Sequence, residues 1–152
     1  MLSEHFSLEE LSVTEVRHLQ VSNRKAAEGF ALTLGLLCSL LEGVRRLCDD
    51  RPVVIHSGFR SPELNAYIHG SKTSQHPKGE AADFHVAGMR LVEVFARIQR
   101  SPLLFGQLIL EDGDGDGVPT WIHISLARKG RDNRECLTYD GKVYRTWVPP
   151  VA

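Results

Sequence analysis

In Ser74-Gln-His-Pro-Lys-Gly-Glu-Ala-Ala-Asp-Phe-His-Val86 a polar turn passes into a strand, with a potential ligand on each side of the passage. Pro77 and Gly79 keep the backbone around His76 out of a helix. The segment from Ala81 to Val86 is small and apolar and reads as a strand that carries Asp83 and His85 on one face. A loop histidine and a strand carboxylate can converge on one point, a pairing that suits a borderline cation such as zinc. Spacing alone does not distinguish this from a solvated histidine followed by a strand-edge aspartate.

A third donor lies downstream. Thr120-Trp-Ile-His-Ile-Ser-Leu126 alternates as a half-buried strand does. Ile122, Ile124 and Leu126 face one way, and Trp121, His123 and Ser125 the other. His76, Asp83 and His123 would make three protein ligands and leave a fourth position open for water.

Together with Ser57-Gly-Phe-Arg-Ser61 and Leu64-Asn65, these segments resemble the D-alanyl-D-alanine carboxypeptidase family of zinc metallopeptidases. That family includes phage L-alanyl-D-glutamate endolysins and is related to the hedgehog signalling domain. The resemblance runs from about Glu4 to about Leu137 and is nearest to short, single-domain phage and prophage forms. It implies a Zn2+ held by His76, Asp83 and His123, and a peptidoglycan stem peptide as substrate. It assigns Arg60 to substrate and transition-state contact, and Ser74 to a substrate hydrogen bond. The planar guanidinium of Arg60 suits a carboxylate. His56 and His69 match no family role and are read as structural, while the family pattern makes Asp83 the ligand and leaves His85 beside it as an outer or packing residue.

A peptidase also needs a carboxylate to move protons. Many relatives place it three residues before the last histidine, where this chain has Thr120. Glu111 is the substitute, because short relatives also carry Glu at the end of this strand; Asp112, Asp114 and Asp116 stand in reserve. A simple register across the intervening loop pairs Glu111 with Thr120 and puts the carboxylate on the face opposite His123. Glu111 reaches the metal face only if the pairing shifts by one residue. A chain of this fold without a working base would be a non-catalytic zinc-binding module, and that is the alternative reading.

The rest of the chain is consistent with one domain over residues 1–152. Ser7-Leu-Glu-Glu10 reads as a capping box, with Phe6 and Leu11 as its hydrophobic staple. Residues 13–23 are polar and unpatterned and read as an ordered loop or partial helix. A main helix is expected over residues 24–49, with Phe30, Leu34, Leu37, Leu41, Val44 and Cys48 as a core stripe. Leu32, Leu36, Leu40 and Leu47 would widen that stripe. The densest apolar run, 30–41, is shorter than the roughly 20 residues of a membrane span, so no span is expected. A second amphipathic helix covers 89–100, and a C-terminal hairpin covers about 135–147 around Asp140-Gly141. The expected fold class is therefore α+β: a small, mainly antiparallel sheet with flanking helices, of hedgehog/DD-peptidase type.

Eighteen basic and 19 acidic residues leave the chain near neutrality, which gives no sign of a nucleic-acid partner. Cys38, Cys48 and Cys136 are an odd number and read as reduced thiols of a chain made in the cytoplasm. The amino terminus lacks the basic segment and apolar run of a signal peptide, so release or delivery to the cell wall is expected. A monomer is assumed. The Asp112–Gly117 repeat resembles a calcium loop, but the twelfth position, where an EF-hand needs Glu, is His123.

Overall fold

The computed structural model describes residues 1–130 and 133–149. Six strands make one mixed sheet: β1 (Val53–Ser57), β2 (Ala81–Val86), β3 (Gln107–Glu111), β4 (Trp121–Ser125), β5 (Glu135–Tyr139) and β6 (Tyr144–Thr146). Their order across the sheet is β1-β2-β4-β3-β5-β6, and every pair is antiparallel except β3 with β5. The expected mainly antiparallel α+β fold is therefore found, with one parallel pair that the sequence pattern did not reveal. That pair arises because the chain crosses from the end of β4 back to the start of β3, where Glu135 N–H donates to the Gly106 carbonyl.

Strand alternation gives the sheet two unlike faces. Phe84, Val86, Leu108, Leu110, Ile122 and Ile124 are buried on one of them. Helices α3 (Ala31–Leu47) and α5 (Leu91–Arg100) pack there through Leu34, Leu37, Leu41, Val94, Phe95 and Ile98. The other face carries Asp83, His123, Ile109 and Glu111.

The amino-terminal capping box forms as expected. Ser7 Oγ accepts from Glu10 N–H while the Glu10 carboxylate accepts from Ser7 N–H, and α1 (Leu8–Leu11) follows. Phe6 and Leu11 are both buried in the core. Residues 13–23 are more helical than their polarity suggested: a 3-10 turn at Arg17–Leu19 runs straight into α2 (Gln20–Ala27). Another 3-10 turn, Glu28–Phe30, then joins α2 to α3, so the expected single helix is two α-helical segments with a 3-10 turn between them.

Two expectations about α3 need correction. Leu32 and Leu36 do not widen the core stripe; they are 91% and 64% exposed, on the side turned away from the sheet. Helical turns also run continuously from Arg17 to Leu47, which makes a stretch long and apolar enough, by length and composition, to cross a membrane. Leu34, Leu37, Cys38 and Leu41 of this stretch are fully buried against the sheet. It is the core helix of the fold because of what it packs against, not because it is short.

Candidate metal centre and cleft

His76 sits in a 3-10 turn, His76–Lys78, that ends at Gly79 with φ of +71°, a left-handed conformation glycine adopts without strain. The ring is oriented from behind. Its Nδ1–H donates to the Gly58 carbonyl at 2.7 Å, which fixes the tautomer and leaves Nε2 bare. Nε2 lies 3.4 Å from Asp83 Oδ2. Asp83 and His123 are direct cross-strand partners on β2 and β4, and His123 Nδ1 lies 2.9 Å from Asp83 Oδ1. One ligand atom from each of the three residues lies within 4.8 Å of the others, and all three side chains are buried.

Titration behaviour follows from this packing. Burial pushes His76 below the usual imidazole range. Burial alone would raise Asp83, but the charge and hydrogen bonds of the two histidines outweigh it and hold its carboxyl well below the usual range. For His123 burial works downward, and the Asp83 hydrogen bond and charge win and raise it. A buried carboxylate between two imidazoles, one with a bare nitrogen aimed at it, fits a divalent cation with three protein ligands and an open position. This group could hold such an ion.

Register settles where Glu111 points. β3 pairs with β4 as Ile109↔His123 and Glu111↔Trp121, one residue off the simple register. The shift comes from the connecting loop. Asp112 turns inward, and its two carboxylate oxygens accept the N–H groups of Gly115, Asp116 and Gly117. Thr120 N–H then closes on the Glu111 carbonyl at 2.7 Å. Glu111 accordingly shares the face of His123, and its Oε2 accepts from Trp121 Nε1 at 2.7 Å. Burial, reinforced by the charge of Asp83, raises its carboxyl above the usual range. The reserve candidates are not placed for this work: Asp112 is spent on the loop, and Asp114 and Asp116 are exposed outside the cleft.

His76, Asp83, His123, Glu111, Arg60 and Ser74 all line one cleft of about 450 Å³. Arg60 Nη2 donates to Ser74 Oγ at 3.3 Å, and the same Oγ accepts from His76 N–H at 3.2 Å. Ser74 thus ties the arginine to the ligand turn. Arg60 Nε is buried without a partner among the described residues, and burial lowers the pKa of this guanidinium.

The profile of the peptidase M15 family matches residues 4–125. The chain belongs to the peptidase M15 family. It is accordingly a metallopeptidase. No curated protein matches the chain.

Several cleft residues of this peptidase carry no motif. Leu137, Tyr139 and Tyr144 form one wall from the C-terminal hairpin, beyond the matched residues, with Tyr139 and Tyr144 stacked at 4.3 Å between ring centroids. Asn23 is fully buried in α2 and holds the Arg60 loop: its Nδ2 donates to the Ser12 and Phe59 carbonyls, and its Oδ1 accepts from Ser61 N–H. A bulge in β1 at His56 brings its Nε2 within 2.7 Å of His85 Nδ1, so these two histidines pair with each other beside the metal group.

Proposed function

We propose that this peptidase is a zinc enzyme that cleaves peptidoglycan stem peptides, either releasing terminal D-alanine or cutting L-Ala–D-Glu. We further propose that it is a phage or prophage cell-wall hydrolase acting after release or delivery to the wall. The observation that carries the catalytic reading is the one-residue register shift that sets Glu111 on the metal face. A carboxylate there supports an enzyme over the non-catalytic zinc module of the same fold.

In this reading His76, Asp83 and His123 hold Zn2+, which when bound supplies a Lewis acid for the scissile carbonyl and acidifies water near neutral pH. Glu111 accepts the proton of the attacking water and delivers it to the leaving amine. Its raised pKa suits both directions of transfer, since the group must be ionised first and protonated next. Trp121 N–H holds the carboxylate in place. Arg60, fixed by Ser74, offers its guanidinium to a substrate oxygen.

Defined muropeptides incubated with the protein, with and without chelator, test this by mass of the products. Loss of one D-Ala, or cleavage after L-Ala, abolished by chelator and restored by zinc, is the expected result. Intact substrate with one zinc bound per chain would favour the binding module instead.

A further inference from the structure

The metal cleft does not end at the metal. It continues past Gln107 into a second, larger cavity of about 820 Å³, and the two share Thr73, Gln75 and Gln107 as lining residues. Among the described residues, three cationic side chains line this second cavity: Lys72, Lys78 and Arg128. The one lining carboxylate among the described residues, Glu135, already accepts from Gln107 Nε2 at 2.7 Å.

Arg128 is the decisive group. Its Nε donates to Glu80 Oε2 at 3.0 Å, and its own N–H and carbonyl are both engaged by the Asn133 side chain. The guanidinium is therefore held along one edge. Its Nη2 is buried and has no hydrogen-bond partner among the described residues. Buried polar groups are nearly always satisfied, so an orphaned one on a guanidinium that lines a cavity calls for an explanation. A planar guanidinium anchored on one edge by Glu80 suits a carboxylate on the part it presents to the cavity.

We propose that this cavity is a subsite for a carboxylate borne by the substrate at a distance from the bond that is cut. The inference rests on the peptidase reading above and extends it to substrate selection. From Ile109, opposite His123, to Gln107 the cleft floor advances about 7 Å along β3, and an extended peptide advances about 3.3 Å per residue. The recognised carboxylate therefore sits two or more residues from the cleaved bond. Lys72 and Lys78 add charge that draws acidic peptides in, and Arg128 supplies the directional contact.

The test uses stem peptides that differ only in carrying a carboxylate or a carboxamide two or three residues from the bond. With the zinc-loaded protein, kcat/KM is expected to favour the acid about tenfold, chiefly through KM. Arg128→Gln collapses that ratio, and the exposed Lys72→Met, which has no packing role, reduces it. Calorimetric binding of both peptides reads the subsite whether or not either is cut. Neither peptide cut but the acid bound more tightly would overturn the peptidase reading and keep the subsite. Equal KM and equal affinity for the two forms, or an acid preference that survives Arg128→Gln, would overturn the subsite and leave the peptidase reading standing.

Discussion

Glu111→Gln preserves side-chain shape and the Trp121 contact while removing the proton acceptor. Turnover should fall by about 10²–10⁴-fold with the metal content unchanged, as seen by comparing rates with elemental analysis. Trp121→Phe acts on the same carboxylate from the other side. The indole N–H favours the ionised form of Glu111, so without it the pKa, already raised by burial, climbs further. Because the base must be ionised to accept a proton, the acidic limb of the kcat/KM profile should move to higher pH. An unmoved limb would mean that Glu111 is not the group titrating. At this scale the sequence was readable where a residue's identity and order carry the chemistry: His76, Asp83 and His123, the trio that the family resemblance assigned to one metal, are found together. It was not readable where a role depends on register. Glu111 and Trp121 become partners only because Asp112 gathers the turn inward, and neither residue type announces that.

Among the elements, α2 does work that its polar sequence conceals. Asn23 bonds the end of α1 to the loop between β1 and α4 (Pro62–Tyr67), the loop from which Arg60 reaches the cleft. Asn23→Ala would leave a buried N–H and two buried carbonyls without that partner. It should lower stability by about 2–4 kcal/mol in denaturant titration. In the folded fraction it should reduce kcat/KM through Arg60 while zinc stays bound. A lone polar residue in a weakly patterned segment gives no forewarning of such a role, since its three partners come from distant positions. The opposite limit appears in α3. Its leucines were legible as a helix and as a central stripe, but not in the width of that stripe: Leu36 and Leu37 are adjacent in sequence, yet one is largely in solvent and the other fully buried. Packing against β2 and α5 decides between them. The β3–β5 pairing was hidden for a related reason, because alternation along a strand is the same whichever direction its neighbour runs.

At the scale of the whole molecule, the three candidate metal ligands come from a turn and two central strands, so an ion held by all three would bind only the folded chain. Zinc at a thousandfold excess over its Kd should stabilise the protein by about 4 kcal/mol, and chelator should lower Tm accordingly. Acid should undo this, since imidazole must be neutral to ligate: His123, raised by Asp83, competes with protons first, and His76, lowered by burial, does so at lower pH. The contact between His123 and Asp83 has a further consequence. In the metal-free chain the carboxylate raises the affinity of His123 for a proton, so that proton occupies the place an incoming cation needs. Metal uptake is then an exchange of ions rather than a simple addition. Titrating zinc into the apoprotein in two buffers of different ionisation enthalpy should give different apparent heats. Their difference should count protons released per zinc, and that count should decline as the pH is raised through the His123 pKa. Heats independent of the buffer at every pH would mean that the protein keeps its metal seat proton-free, with the charge of Asp83 answered by other means.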